Sequence, residues 1–366
     1  MNYREFLERL GSDRYSPEAD EIYQNALADG ELAAPLARHR ISELFGELAR
    51  EVLAAAQFIE ADEVWLSYTN LLRLCYLVLD SSKYPLLPPE EGNIPRNFAP
   101  VLSFVSHVDE AIRMMNERRI DAEQQQKVNS AYKKALLAHR EKFGFYAMQP
   151  MLFYWARHYL KPDIFTLGSL QFEITTMPAG ESVFRSKVTG DITALIDAVE
   201  AGDAYTGGLR LRSGADAGRL TLPKTHFEPL VRAGEDILSV HIPAKAKIDR
   251  PTCEESFRLA AEFFANHFPE RNPRAFYCRS WLMDPALADM LGESANIVTF
   301  QRMFRRYPVK SSGAEVFAFV HPQPFESYSE LPGNTTLMRG LKKRCLAGNP
   351  IYVYAGIRLF ENGGNR

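Results

Sequence analysis

The chain has 366 residues, 46% of them hydrophobic and 24% charged, with a formal net charge of −3 at neutral pH. That length suits about two domains and buries a full core without cross-links. With no basic excess to neutralise phosphates, a dedicated nucleic-acid binder is excluded. The four cysteines, Cys75, Cys253, Cys278 and Cys345, form no C-x-x-C pair. They read as reduced, buried thiols, not as a disulfide framework or a zinc site.

The opening MNYREFLERL carries Arg4, Glu5 and Glu8 where a signal peptide needs an apolar stretch. Ser16-Pro17-Glu18 reads as a helix start: a serine cap, a proline at the first helical position and an acid in the first turn. Ile41, Leu44, Phe45, Leu48, Val52 and Ile59 recur at helical spacing and mark one helix face. Residues 64–79 form the most apolar window, but it contains Arg73 and is shorter than a membrane span. It is expected as a central buried helix, and the protein as cytoplasmic with no membrane partner. Residues 85–100 hold five prolines and are expected as a loop. Helices follow over 101–115, over 120–143 with Gly144 closing it, and over the aromatic stretch 145–160.

After Lys161-Pro162-Asp163 the period changes. Leu170, Phe172 and Ile174 alternate with Gln171, Glu173 and Thr175, the mark of a strand with one wet face. Residues 184–189 are expected to pair with it, and Gly207-Gly208 to form a hairpin turn. Strands over 236–243, 275–282, 316–320 and 351–360 alternate with helices over 251–267, 285–291, 296–304 and 335–346. The fold class is α+β: an all-helical N-terminal domain, 1–162, then a mixed α/β domain, 163–360, with a fraying tail, 361–366.

The second half resembles bacterial acyltransferases with a GNAT-like C-terminal domain and a helical N-acyltransferase-type N-terminal domain. The resemblance rests on LGSLQFE (167–173), ILSVHIPA (237–244), RAFYCRSWLMDPAL (274–287), SANIVTFQRMF (294–304) and LPGNTTLMRG (331–340). The chain departs from the family pattern at Lys245, Ala246 and Lys247, where glycine is favoured, and at Met338, where glutamine is expected before Arg339. The resemblance implies an acyl-CoA-dependent N-acyltransferase, with acyl-CoA as co-substrate, a small-molecule amine as acceptor and no metal. It places the CoA diphosphate on the start of the helix after the fourth strand, where amide groups and the helix dipole favour an anion. Here that is Ala244, Lys245, Ala246, Lys247, Arg250 and Thr252.

His241 is expected as the base, since it falls on the opposite strand face from Val240 and Ile242. Glu173 would orient it if the two strands are neighbours. Ser280 and Asp284 lie at the end of a strand, where open sheets place ligands, and Asp284-Pro285 also reads as a helix start. Asn296 and Gln301 offer donors to a substrate carbonyl, or satisfy buried backbone. Cys278 has no positive partner in sequence and reads as packing. A Ser280–His241–Asp284 hydrolase lacks the G-x-S-x-G elbow, a dinucleotide enzyme lacks G-x-G-x-x-G, and metal catalysis lacks H-E-x-x-H. The non-enzymatic alternative is an inactive GNAT-like domain that binds acyl-CoA or another ligand or partner. The helical half is expected to cap the acceptor side.

Overall fold

The computed structural model describes residues 1–79, 83–211, 215–321 and 325–360. The expected fraying tail, 361–366, lies outside these residues. The chain divides into two compact units, Met1–Asp163 and Ile164–Arg366.

Helices are the only regular elements among the first unit's described residues. Ser16 caps the helix Pro17–Ala28 by accepting from the Ala19 N–H, with Pro17 at the first turn. The face marked by Ile41 to Ile59 is buried, but one helix does not carry it. Gly46 takes φ +55° and breaks the run into Ile41–Phe45 and Ala49–Glu60. The helix Glu63–Tyr76, capped by Asp62, is buried along most of its length. Its Tyr76 meets Phe104 and Phe153 at ring distances of 4.4 and 5.2 Å, the aromatic centre of this core.

The proline-rich stretch departs from expectation, because a helix runs Ile94–Val105 through part of it. Pro95 sits in the first turn, where no amide partner is needed. Pro100 lies inside the helix and is fully buried, as are Ala99, Val101 and Leu102 beside it. Burial of this apolar segment outweighs the lost backbone bond.

The second unit holds two sheets. The larger runs β1-β2-β8-β9-β11-β10, with β1 Ile164–Leu167, β2 Leu170–Thr176, β8 Asp236–His241, β9 Ala275–Ser280, β10 Arg305–Pro308 and β11 Tyr354–Leu359. The smaller runs β6-β5-β4-β3-β7, with β3 Glu181–Ser186, β4 Ile192–Ala201, β5 Ala204–Arg210, β6 Asp216–Pro223 and β7 Phe227–Val231.

Three expectations fail here. Residues 184–186 do not pair with β2, because β3 joins β4 and β7 in the second sheet. Gly207-Gly208 is strand interior, not a turn. A Cβ on Gly207 would come within 2.8 Å of Leu195 Cβ and 2.9 Å of the Ile196 carbonyl, so close strand approach requires the glycine. Residues 317–320 form a helical turn instead of a strand. Glu315 accepts from the Ser312 and Gly313 amides just before it, winding the chain, and Arg305–Pro308 supplies the edge strand instead.

One face of the larger sheet packs under the helix Arg250–His267. Phe257 sits 5.8 Å from Phe172 and 4.8 Å from Phe276. The other face, through Ile237, Tyr277 and Ile357, packs with Val183 and Val231 of the smaller sheet.

Candidate active site

β2 and β8 are antiparallel neighbours, with Glu173 opposite Ser239 and Gln171 opposite His241. All four side chains therefore share a face, the one that carries Ile237 and Tyr277. His241 and Glu173 meet diagonally across the pair, with Nε2 to Oε2 at 3.1 Å. The glutamate side chain is 14% exposed and the histidine 28%, so the pair is sheltered yet reachable.

β8 and β9 run parallel, and their register comprises Leu238–Phe276 and Ser239–Tyr277. β9 and β11, by contrast, pair along all six residues. The β8–β9 ladder thus ends before His241 and Ser280, the last residues of each strand. His241 lies two residues past the last ladder pair, at the carboxyl end of a parallel pair, the position where α/β sheets accept ligands.

Ser280 does not join His241. It shares strand parity with Phe276 and Cys278, the helix-covered face, and its Oγ accepts from the Leu282 N–H to cap the following turn. Asp284 is fully buried and accepts from the amides of Ala286 and Tyr352, which fixes its own turn and ties it to the segment entering β11. The Ser280–His241–Asp284 arrangement is therefore not assembled.

Gln301 is also committed elsewhere. It is buried, and its amide donates to the carbonyls of Leu282 and Asp284 at 2.6 and 3.0 Å, while Arg306 donates to its Oε1. Asn296 is exposed on the first turn of Asn296–Gln301. Cys278 is packing: burial pushes its thiol up to about 12.

The helix after β8 begins at Arg250 and is capped by Asp249, a residue the sequence reading passed over. Asp249 accepts from both the backbone N–H and the hydroxyl of Thr252. Burial works to raise its pKa, but Thr252 and Lys247 together hold it below the ordinary aspartate value. The D-R-P-T run at 249–252, before an amphipathic helix, was a readable capping signal. Lys247 pairs with Asp249 at 3.3 Å and Arg250 with Glu254 at 3.6 Å. Lys245 is exposed and takes φ +64°, in a turn closed by Ala246 N–H donating to the Pro243 carbonyl. The left-handed backbone explains why glycine is favoured at this position.

Sequence reasoning also missed a buried polar cluster on the His241 face. Glu181 Oε1, Tyr277 Oη and Tyr307 Oη are buried without a hydrogen-bond partner at bonding distance. Burial raises Glu181 above its usual carboxylate range, with Tyr307 and Arg279 pulling the other way. Nothing in the sequence links β3 to β9 and β10, so no pattern marked this group.

A mixed sheet with one central parallel pair, β8 and β9, covered on one face by the helix that follows β8, is the architecture of the GNAT class. The chain belongs to the GNAT-like C-terminal domain family, whose model matches residues 164–358. No curated protein matches the chain. Among solved structures it is similar to an acyltransferase in complex with CoA and 10C-teicoplanin, with TM-score 0.69 and 20% identity over 99% of this chain and 100% of that one. It is similar also to an acyltransferase in complex with decanoyl-CoA and teicoplanin, and to an acyltransferase mutant in complex with octanoyl-CoA. Both have TM-score 0.64 and 20% identity over 99% of this chain and 100% of theirs.

Proposed function

We propose that the protein is an acyl-CoA-dependent N-acyltransferase, acting in the cytoplasm on a small-molecule amine. The observation that carries this reading is the His241–Glu173 pair at the carboxyl end of β8, just past the last β8–β9 ladder pair. Family membership supports the reaction class, and the bound CoA, acyl-CoA and teicoplanin of the similar structures support the co-substrate and a small-molecule acceptor.

In the proposed reaction Glu173 accepts from His241 Nε2–H, which leaves Nδ1 as the basic nitrogen. His241 takes a proton from the acceptor amine as its nitrogen attacks the thioester carbonyl. The C–N bond forms, the C–S bond breaks, and the departing thiolate collects a proton. Lys245, Lys247 and Arg250, with the backbone at 244–246, are the proposed diphosphate contacts. Thr252 contributes by holding Asp249, since its own donors are engaged there.

One observation favours a second reading. The Asp249 carboxylate already occupies the helix start that would hold the diphosphate. In that reading the domain binds acyl-CoA weakly or binds another ligand, without turnover. Melting temperatures with acetyl-, octanoyl- and decanoyl-CoA test binding, and free-thiol release with amine mixtures then separates transferase from binder: a rise at saturating ligand and thiol release are both expected. No rise with any of the three would remove the transferase reading.

A further inference from the structure

A cavity of about 320 Å³ lies in the second unit, lined by Arg185, Arg302, Arg305 and Arg358. Every other lining side chain is apolar, with Ile192, Leu230 and Ile357 among them, and no lining residue is acidic. It sits far from His241 along the sheet. Arg305 pairs with Ile357 across β10 and β11, and Leu359 pairs with Ala275, the first residue of β9. His241 is the last residue of β8, which runs parallel to β9. The cavity and the histidine are therefore at opposite ends.

The charges can be balanced one by one. Arg185 pairs with Glu228, Arg302 with Glu293 and Arg358 with Glu254. Arg305 forms no ion pair with a described residue, and its guanidinium lies against the Gly190 turn, about 3.6 Å from where a Cβ would stand. Arg305 is exposed, and among the described residues it is the cavity's one cation without an anionic partner, standing at its rim over an apolar lining. A planar guanidinium binds a carboxylate through two parallel hydrogen bonds. The volume holds about ten water-sized groups.

We infer that this cavity is a second ligand site, for a monocarboxylate with a medium-length apolar body, held by Arg305 and separate from the proposed acyl-CoA site. A single net charge suits a carboxylate and not the multiply charged diphosphate of CoA. The unpaired guanidinium takes the head group, and the apolar lining takes the chain.

Calorimetric titration of the full chain with octanoate tests this, with octanoyl-CoA binding and thiol release measured on the same samples. One-to-one binding is expected, weakened at least about tenfold in Arg305→Gln and restored by Arg305→Lys in part. Octanoyl-CoA binding should be unchanged in both. Arg302 is exposed like Arg305, and Arg302→Gln gives a second, independent reading of the same cavity should Arg305→Gln fold poorly. Three results would overturn the inference: no octanoate binding, binding unaffected by both variants, or binding abolished by saturating octanoyl-CoA. Inorganic phosphate binding as tightly as octanoate would also overturn it, since the apolar lining would then contribute nothing. Octanoate binding without thiol release would instead sink the transferase reading and leave this site standing.

Discussion

His241 meets Glu173 because strand parity puts both on one face and the β2–β8 register offsets them by two residues. In the proposed reaction Glu173 is a positioning residue. Glu173→Gln keeps a hydrogen-bond acceptor but loses the charge that favours the imidazolium, so a fall in turnover of about tenfold is expected, smaller than for loss of the base itself. Steady-state thiol release with its pH profile checks this, since a purely structural role would leave the profile in place. Lys245 gives a second prediction. A non-glycine residue in the left-handed region costs roughly 1–2 kcal/mol, so Lys245→Gly should raise stability by about 1 kcal/mol in urea unfolding. If Lys245 also grips the diphosphate, the same variant should bind acyl-CoA less tightly while being more stable.

Glu181 predicts a pH dependence. Burial holds its folded-state pKa above the ordinary 4.5. The unfolded chain therefore ionises it first, and stability present at low pH is lost as pH rises from 4.5 through the folded value. Glu181→Gln should remove that loss, leaving the variant more stable than the wild type at neutral pH, with the gap closing near pH 4.5. Urea midpoints at the two pH values measure it, and an equal gap at both would rule the assignment out.

Among elements, strands with one wet face and helices with strong caps were legible. The alternation of 170–175, the proline start at Ser16 and the closing Gly144 all follow from local chemistry. What was not legible depends on partners distant in the chain. β3 reads as a strand from its own residues, but only packing decides that it joins β4 and β7. The helix through Pro100 forms because its surroundings bury it, which no local propensity registers. Within the site, the meeting of His241 and Glu173 was readable from parity, and Gln301 takes one of the two roles left open for it, satisfying buried backbone, whereas the capping role of Ser280 was not legible. The commitments of Ser280 to Leu282 and of Gln301 to the 282–284 carbonyls depend on a turn whose shape the sequence does not display. Gly207 carries the prediction at this scale. A methyl there meets backbone and Leu195 Cβ, which cannot swing aside. Gly207→Ala should cost roughly 1–3 kcal/mol of stability, read from chemical unfolding.

At the level of the whole molecule, two units each carry a core of their own. Among the described residues no helix is long and apolar enough to cross a membrane. Phe153 is fully buried in the first unit against Tyr76, Tyr84 and Phe104. Phe153→Ala should therefore destabilise that unit by about 3–5 kcal/mol, visible as an earlier transition in thermal unfolding.

The account turns on one histidine at the carboxyl end of a central strand. The direct measurement is single-turnover formation of acylated amine from octanoyl-CoA, followed by mass spectrometry in the wild type and in His241→Ala. The wild type is expected to form product with one thiol released per acyl group moved, and His241→Ala to be slower by at least about a hundredfold with octanoyl-CoA still bound. Equal rates in the two proteins would contradict the assignment of His241 as the base.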